Sequence, residues 1–490
     1  MQRNTPIDQR ANEPSADMLH EWDRNHQLHP WAAMHEWRGY DHMLVQNSDG
    51  IYLWDESGKR FIDGPGGMWC VQIGYGRQQM ADAIAQQVMK LPYTSPWTST
   101  TEPSAILAKK IASMAPGDLN NVFFTTGGST AVDTALRTVH FLNNRLGRPE
   151  KKIVLAREKG YHGSTYLAST VTGKERDKSR FDIEKRLVHF LPDVNPYRRP
   201  EGMSEADWCD AKVFDLEHAI AEIGADKIGA FIAEPILCSG GVIVPPEGYH
   251  KRTLELCRKH DILYISDEVV TAFGRLGHWF ASKDVFGIEP DIITCAKGLT
   301  SGYLPLGACI ISDRIMNQMQ SPNDPVLFSA GYTYSAHPVC CVAALKNIEI
   351  FETEGLLEHV RQITPYFQER LAALASNPIV GNVRGMGLLG CIEGTPDKDG
   401  STLDDERKLG ALLDEACEEM GLLVRPLINM AVFSPPLIIT RDEIDTMFDI
   451  LEKALKKVAS DSNHSMPSGW LPDAPAGHST GQDQCLDQDQ

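Results

Sequence analysis

Short apolar runs alternate with segments of helical periodicity through the middle of the chain. Each run is four to six residues long, and the runs are 121–125, 152–156, 228–233, 262–265, 292–295 and 307–311. Strands of this composition are buried on both faces, because helices cover both sides of a parallel sheet. The pattern therefore predicts an α/β fold in which a mostly parallel sheet is flanked by helices.

The segments on either side of this alternation show other patterns. Two runs at 51–54 and 60–63, separated by a turn that contains glycine, predict a β-hairpin. Apolar residues spaced three or four apart predict a helix between Met80 and Leu91, and Pro92 ends it.

A long helix predicted at 339–354 opens a segment of mixed α and β patterning, which we assign to a smaller α+β domain. The last residues contain five Asp, no Lys or Arg, and many Ser, Gly, Pro and Gln, a composition typical of disorder. The predicted organisation is a flexible N-terminal segment (1–28), the first part of the small domain (29–75), a large domain (76–335), the C-terminal part of the small domain (336–459) and a disordered tail (460–490).

The composition is that of a globular protein, with 42% hydrophobic and 23% charged residues. A net charge of −19 argues against nucleic-acid binding, which requires basic surfaces, but allows a small anion in a local positive pocket. No apolar run is long enough to span a membrane, and the N-terminal residues lack the apolar core of a secretory signal. Eleven scattered cysteines predict reduced thiols, and neither C-x-x-C nor H-E-x-x-H occurs, so we expect a cytoplasmic protein with no metal site.

Three glycines, Gly385, Gly387 and Gly390, match the spacing of a dinucleotide-binding loop. That fingerprint requires a helix after the glycines, with its N-terminus facing the pyrophosphate. Here an apolar run, 388–392, follows instead. The better interpretation is a strand whose glycines permit close backbone contact, and a nicotinamide site is the lesser alternative.

A stronger candidate for anion binding is Thr-Thr-Gly-Gly-Ser-Thr at 125–130, between a predicted strand and a helix predicted at 129–143. Free N–H groups and the positive end of the helix dipole bind phosphate, and glycines let the backbone approach it. The alternative is an ordinary helix cap, in which Ser129 or Thr130 satisfies the first N–H groups. These residues alone favour neither interpretation.

Two charged residues follow predicted buried strands. Asp267 comes after the run 262–265, where α/β proteins bind ligands, although an acid there can also cap the next segment. Lys297 comes after 292–295 and before a glycine, although a surface lysine can also lie over apolar residues there. A phosphate loop, a lysine amine and an acid are the groups that pyridoxal phosphate requires, and Tyr161 is a candidate to stack on its ring.

The order of several motifs resembles that of the class III (subgroup II) aminotransferases, which are pyridoxal phosphate enzymes of fold type I. The resemblance extends from about His29 to Val458. The motifs that carry it are Gly-Gly-Ser at 127–129 with Asp-Thr-Ala at 133–135, Tyr-His-Gly at 161–163, Ala-Glu-Pro at 233–235, Asp-Glu-Val at 267–269, Ala-Lys-Gly at 296–298 and Thr-Tyr-Ser at 333–335. The resemblance implies a large, cofactor-binding domain with a mostly parallel seven-stranded sheet, beside a smaller α+β domain.

The resemblance also implies a role for each motif. Lys297 would bond covalently to the cofactor and then move the proton during catalysis, while Asp267 would pair with the pyridine nitrogen. Val269 and Tyr161 would pack on opposite faces of the ring. The other cofactor contacts that it implies are Gly128 and Ser129 at the phosphate, His162 and Glu234 near the ring, and Thr333, which would reach the phosphate of the neighbouring subunit in a homodimer.

Within the family, the chain is most similar to the ω-amino acid and amine–pyruvate aminotransferases. The similarity rests on Met-Trp-Cys at 68–70, Gly-Tyr-Gly at 74–76 and Val-Arg-Pro-Leu at 424–427. It implies that Arg425 binds the carboxylate of pyruvate or alanine and swings away when an amine without a carboxylate enters. Trp69 and Tyr161, and less directly Trp31, would line the substrate pocket. The plainer alternatives are a surface arginine and a core tryptophan.

The phosphate loop departs from the family pattern. The family usually has Asn-Ser-Gly-Ser-Glu-Ala where this chain has Thr-Gly-Gly-Ser-Thr-Ala at 126–131, so a hydroxyl and a carboxylate are missing. Backbone N–H groups can still bind phosphate, so the departure bears on the identity of the amine more than on the chemistry.

The leading hypothesis is a pyridoxal phosphate-dependent transaminase that moves an amino group from an amine or ω-amino acid to pyruvate by a ping-pong mechanism. The first alternative is another reaction on the same fold, as a decarboxylase, aminomutase or ammonia-lyase, because a fold does not fix the reaction. The distant alternative is an NAD-dependent oxidoreductase that uses the glycines near Gly387.

Overall fold

A computed structural model describes residues 14–320, 325–395 and 403–460. The described residues fall into two compact units, 14–44 and 45–460. Apart from Ser460, the predicted tail lies outside the described residues. The domain boundaries predicted after residues 75 and 335 fall within the second unit and stay predictions.

The first unit contains helix α1, Ala16–His26. It begins at Ser15, whose hydroxyl accepts a hydrogen bond from the N–H of Met18 at 3.3 Å, and polar caps of this kind stabilise helix starts. Beyond the helix, the His29 ring is 2.9 Å from the Asp23 carboxylate. The helix lies within the segment predicted to be flexible, and that flexibility stays a prediction.

The second unit contains all the strands of the described residues and fourteen more α-helices, together with short 3₁₀ helices. The strands are β1 Val45–Asp49, β2 Tyr52–Asp55, β3 Arg60–Asp63, β4 Asn121–Thr125, β5 Ile153–Arg157, β6 Val188–Leu191, β7 Ile228–Ala233, β8 Leu263–Asp267, β9 Ile292–Cys295, β10 Gly307–Ile311, β11 Val380–Met386, β12 Leu389–Gly394, β13 Leu422–Leu423, β14 Arg425–Leu427 and β15 Met430–Phe433. The helices are α2 Gly66–Trp69, α3 Gln78–Lys90, α4 Glu102–Met114, α5 Gly128–Arg145, α6 Tyr166–Val171, α7 Glu175–Lys178, α8 Glu205–Ile223, α9 Tyr249–Lys259, α10 Ala281–Asp284, α11 Asp313–Met319, α12 Pro338–Thr353, α13 Leu356–Ala373, α14 Leu403–Glu419 and α15 Arg441–Ser460.

The largest sheet has seven strands in the order β4-β10-β9-β8-β7-β5-β6. Six strands run in one direction and β10 runs against them. This arrangement confirms the predicted mostly parallel, seven-stranded α/β fold. The apolar runs that predicted it form β4, β5 and β7 to β10, whereas the pattern did not reveal β6, a short strand at the edge of the sheet.

Helices cover both faces of this sheet, as the apolar runs predict. Along β7, Ala230 and Ile232 pack in one cluster with side chains of α5, whereas Phe231 and Ala233 pack in another with side chains of α8 and α9. Because successive side chains of a strand point to opposite faces, β7 is apolar at every position.

Two four-stranded sheets complete the second unit, in the orders β1-β2-β3-β13 and β11-β12-β15-β14. The predicted hairpin forms from β2 and β3, and β13 pairs in parallel with β3, Leu422 beside Ile62. Of the helices in the described residues, none is both long and apolar enough to cross a lipid bilayer.

The glycines at 385–390 lie in an antiparallel hairpin made by β11 and β12. Gly387 has a φ of +60° at the turn, and a Cβ on Gly390 would lie 2.2 Å from the ring of Phe433. This confirms the interpretation of close-packed strand glycines. Because the glycines are followed by a strand, they lack the helix that a dinucleotide site requires.

A cluster of aromatic rings forms the centre of the core around the third sheet. The rings of Phe367, Phe433 and Phe448 are fully buried, and their centroids are 5.2 to 6.1 Å apart. Their planes meet at 64° to 88°, the edge-to-face arrangement that aromatic pairs favour. The cluster joins α13, α15 and β15.

We predict that Phe448→Ala lowers the free energy of unfolding by about 3–5 kcal/mol, because it leaves a cavity among these rings. Urea unfolding followed by tryptophan fluorescence measures the change. The control is Phe214→Ala, which removes a ring that is 60% exposed and should change stability by less than about 0.5 kcal/mol. Equal losses in the two variants would contradict the assignment of this cluster to the core.

Candidate active site

The candidate functional residues gather at one edge of the seven-stranded sheet. Parallel strands that run in one direction end at the same edge, so the residues that follow them lie near one another. Lys297 comes just after β9, Asp267 is the last residue of β8, and Glu234 comes directly after β7. His162 lies in the loop after β5, and Ser129 lies in the first turn of α5, after β4.

The Asp267 carboxylate is buried and held by three donors. The His162 ring nitrogen Nδ1 is 2.6 Å from one oxygen, and the Thr294 hydroxyl donates to the other at 3.1 Å. That second oxygen also accepts the N–H of Val269 at 3.2 Å. The register of β8 and β9 pairs Asp267 with Thr294, so strand pairing itself fixes the orientation of this acid.

Glu234 holds the loop that carries Tyr161. Its buried carboxylate accepts the N–H of Tyr161 at 2.9 Å and the N–H of Cys238 at 3.2 Å. Burial raises the pKa of Glu234, and the nearby His162 ring opposes that change. Glu234 therefore acts on the candidate site through the backbone position of Tyr161.

The start of α5 has the geometry of an anion site and not that of an ordinary cap. Its N-cap residue is Gly127, which has no side chain that could cap the first turn. The Ser129 hydroxyl accepts the N–H of Ser164 at 3.1 Å, while the Thr130 hydroxyl donates to the Gly127 carbonyl at 2.8 Å. The first N–H groups of this 18-residue helix are therefore left for a ligand.

Glycines allow the surrounding groups to approach this helix start. A Cβ on Gly128 would lie 2.9 Å from the side chain of Val269. A Cβ on Gly163 would lie 2.5 Å from the Ser129 hydroxyl, and Gly163 has a φ of +135°. Val269 therefore packs directly against the phosphate loop.

Lys297 has a strained backbone and a poorly hydrated amine. Its φ is +43°, a conformation that residues other than glycine adopt at a cost, most often at functional sites. Its ammonium lies 5.5 Å from the centroid of the Trp69 ring. Burial lowers the pKa of Lys297, and the attraction of Asp267 opposes the change. Lys297 is thus not the water-exposed lysine of the plainer interpretation.

Trp69 lies close to both cations of the site. The Trp69 side chain is 2% exposed. The Arg425 guanidinium is 5.3 Å from its ring centroid, and the Lys297 ammonium is 5.5 Å from the same centroid. Arg425 also contacts the Met68 thioether, and burial lowers its pKa. Trp69 is therefore both a buried side chain and a neighbour of the predicted catalytic lysine, and Arg425 is not an exposed surface arginine.

Thr333 and Trp31 are the remaining predicted site residues. Thr333 is exposed, and its carbonyl accepts a hydrogen bond from the Tyr93 hydroxyl at 2.9 Å. Trp31 belongs to the first unit, where it is 59% exposed. Their predicted roles, at the partner's phosphate and in the pocket wall, stay predictions.

The sequence reasoning did not identify Thr294, Ser164, Met68 or Lys174 as site residues. The sequence did contain a sign of Thr294, since a polar residue in an otherwise apolar strand indicates a buried hydrogen bond. Ser164 and Met68 adjoin motifs that were identified, but their contacts depend on the fold. The ammonium of Lys174 lies 5.9 Å from the centroid of the Tyr161 ring.

The residues at this edge fit pyridoxal phosphate. The α5 start offers N–H groups for a phosphate, Asp267 offers a fixed carboxylate for a pyridinium, and Lys297 offers an amine. In the described part of the chain, the buried Trp69 Nε1 and Arg425 Nε have no hydrogen-bond partner. Buried donors rarely stay unpaired, so a ligand or ordered water belongs beside them.

Comparison with known proteins places this arrangement in a family. The model of the family described as Aminotransferase class-III matches residues 34–455. A gamma-aminobutyrate transaminase 1, mitochondrial, of Oryza sativa subsp. indica is 38% identical over 88% of this chain and 84% of its own length. A putrescine–pyruvate aminotransferase of Pseudomonas aeruginosa is 37% identical over 90% of this chain and 97% of its own length.

Solved structures agree with this result. A thermostable (S)-enantioselective omega-transaminase from Thermomicrobium roseum superposes with a TM-score of 0.87 at 35% identity, covering 91% of this chain and 99% of its own. An omega transaminase from Pseudomonas jessenii in complex with PMP superposes with a TM-score of 0.86 at 33% identity, covering 90% of this chain and 98% of its own. These matches confirm the resemblance and the fold inferred from the motifs.

We predict that Gly163→Ala weakens pyridoxal phosphate binding about tenfold, the loss of one hydrogen bond to a charged group, because the new Cβ displaces Ser129. The dissociation constant is measured by titrating the apoprotein with the cofactor. Gly202→Ala is the control, since Gly202 has a φ of +80° and open space around it. Equal cofactor affinity in the two variants would show that the Ser129 position does not matter.

Proposed function

Because the chain belongs to the class-III aminotransferase family, we propose that it transfers an amino group from an amine or ω-amino acid to pyruvate, giving alanine. The donor's product would leave before pyruvate binds, as in a ping-pong mechanism. The similarity to a putrescine–pyruvate aminotransferase and to omega-transaminase structures supports this choice of substrates.

The observation that carries the proposal is the convergence of three groups at one sheet edge. An amine on Lys297, a fixed carboxylate on Asp267 and the open start of α5 lie at the ends of three strands of the same sheet. Lys297 and Asp267 can carry charges of opposite sign. Burial lowers the pKa of the Lys297 amine, and the attraction of Asp267 opposes that change. A structural role alone does not require all three together.

The residues that would hold pyridoxal phosphate have separate tasks. The α5 start with Gly128 and Ser129 would bind the phosphate, and Asp267 would pair with the ring nitrogen. Val269 and Tyr161 would confine the ring from its two faces. When bound, the cofactor supplies an aldehyde that receives the amino group and a ring that withdraws electrons from the carbon being deprotonated.

Lys297 would move the proton. Its pKa is lowered by burial, so a larger share of its side chain is the neutral amine, the form that can take a proton from a substrate carbon. The strained backbone at Lys297 restricts where its nitrogen can reach. His162 and Thr294 keep Asp267 oriented, and thereby keep the ring nitrogen paired.

Arg425 would select the acceptor. Its guanidinium is partly buried beside Trp69 and Met68, and its Nε has no hydrogen-bond partner among the described residues, so donors remain for a ligand. A planar carboxylate can take two such donors at once. When an amine without a carboxylate binds, the side chain would swing away, and the flexible Met68 side chain adapts to both positions.

The altered phosphate loop is consistent with this role. The Thr130 hydroxyl is used inside the loop, on the Gly127 carbonyl, and Thr126 precedes the helix. Phosphate binding would therefore depend on backbone N–H groups and Ser129, without the carboxylate that the family usually has at this loop.

We also propose a homodimer in which the partner subunit's Thr333 reaches the phosphate. Exposed apolar side chains support it: Leu327 is 80% exposed, and Tyr334, 60% exposed, packs against Tyr93 beside Thr333. An exposed apolar region of this kind favours contact with a second copy. The cytoplasm is the proposed location, because the ten cysteines in the described residues are free thiols.

The test of the function is alanine formation from pyruvate with a series of amine and ω-amino acid donors. We predict that the wild-type holoenzyme forms alanine without added NAD. Lys297→Ala should retain the cofactor non-covalently but lose roughly a thousandfold in turnover, since proton transfer by a positioned side chain is worth about 10²–10⁴ in rate.

The control variant is Lys456→Ala, which removes a lysine whose side chain is 66% exposed and should leave turnover unchanged. Release of ammonia or carbon dioxide without an acceptor would indicate a different reaction on this fold. Near-normal turnover in Lys297→Ala would remove the central assignment.

A further inference from the structure

Lys174 lies beside the candidate substrate site but has no part in the function proposed above. It is the residue before α7, and its side chain is only 15% exposed. Its ammonium lies 5.9 Å from the centroid of the Tyr161 ring. A lysine is rarely shielded from water to this degree without a partner or a task.

The surroundings of Lys174 leave it with unused hydrogen-bonding capacity. Among the described residues, its ion-pair partner is the Asp177 carboxylate at 3.4 Å, three residues along the chain. That carboxylate also pairs with Arg176 at 3.1 Å. An ammonium has three donors, so one shared carboxylate does not satisfy it. Burial lowers the pKa of Lys174, and the nearby Arg176 and Arg425 lower it further, while Asp177 opposes them.

Two cations therefore border the candidate substrate site, Lys174 beside the Tyr161 ring and Arg425 beside the Trp69 ring, and both have donors to spare. Arg425 is the first, with a buried Nε that lacks a partner in the described residues. Lys174 is the second. A substrate with one carboxylate can engage only one of them, whereas two acidic groups on one short carbon chain can engage both.

We propose that Lys174 is a specificity-determining residue that binds the second acidic group of a dicarboxylic keto or amino acid while Arg425 binds the first. This inference rests on the proposed function, because it concerns the same substrate site. Asp177 occupies the lysine in the free protein, and the distal carboxylate of the substrate replaces it. The predicted consequence is that diacids bind more tightly than monoacids of the same carbon skeleton.

The experiment measures binding of unreactive acids to the holoenzyme by calorimetry. Glutarate has two carboxylates and butyrate has one on a chain of similar length. In the wild type we expect glutarate to bind more tightly. Lys174→Met should raise the ratio of the glutarate to the butyrate dissociation constant about tenfold, the effect of losing one charge-assisted hydrogen bond.

The variant Asp177→Asn separates recognition from a structural role. Since it removes the carboxylate that competes for Lys174, it should lower the same ratio several-fold, opposite to Lys174→Met. If the Lys174–Asp177 pair only holds α7 in place, both variants change the ratio in the same direction, and the proposal fails.

Arg176→Met is the matched control. It removes another cation that pairs with Asp177, but one whose side chain is 45% exposed and therefore screened by water. Its ratio should stay within about twofold of the wild type. If Arg176→Met changed this ratio as much as Lys174→Met does, the effect would be one of charge in general and the proposal would fail. The proposal would also fail if the wild type did not bind glutarate more tightly than butyrate.

A kinetic comparison keeps this proposal distinct from the proposed function. With one amine donor, 2-oxoglutarate and pyruvate are compared as acceptors by the glutamate and alanine formed. Loss of the diacid preference in Lys174→Met, with alanine still formed, supports the assignment of Lys174. Absence of alanine in the wild type would contradict the proposed function, while the glutarate binding result would still decide the role of Lys174.

Discussion

Two opposite charges, the Asp267 carboxylate and the Lys297 amine, lie at the ends of adjacent strands where little water reaches them. Withdrawing a charge from water costs several kcal/mol unless hydrogen bonds replace the lost hydration. The protein supplies those bonds to Asp267 through His162, Thr294 and a backbone N–H. Among the described residues Lys297 has no comparable set of hydrogen-bond partners. Burial instead lowers its pKa, which favours the neutral amine.

This difference between the two groups fits the chemistry assigned to them. An acid that must stay ionised next to a pyridinium needs fixed donors, and an amine that must exchange protons needs a lowered pKa. The sheet positions both groups. The pairing of β8 with β9 orients Asp267, and the strained turn after β9 places Lys297 in the site. The two residues proposed to bind acidic groups of the substrate, Arg425 and Lys174, lie on other segments. Changes there can alter substrate binding without disturbing the acid and the amine.

The central site could be predicted because its residues follow buried strands or open a helix, and strand ends are visible in the sequence. Asp267, Lys297 and Ser129 were found in this way. Thr294 was missed because its importance lies in its register against Asp267, which the sequence does not reveal. The position of Lys174 over Tyr161 depends on how the loop after β5 folds, so no local pattern indicated it.

The strands also differ in how clearly the sequence reveals them. Strands β7, β8 and β9 are buried throughout because helices cover both faces, and their mostly apolar sequences made them easy to recognise. Strand β6 borders only one neighbour and is half-buried, so its sequence lacks that signal. For Trp69, the two interpretations were a residue of the pocket wall and a core tryptophan. Both describe it in part, since its side chain is buried and also lies beside Lys297 and Arg425.

The most direct measurement of the central claim is reduction of the holoenzyme with borohydride, followed by peptide mass spectrometry. Borohydride makes the bond between the cofactor and its lysine permanent, so the modified peptide identifies that lysine. We expect a single modified site, at Lys297. A modified lysine elsewhere, or a holoenzyme that carries no covalent cofactor, would contradict it.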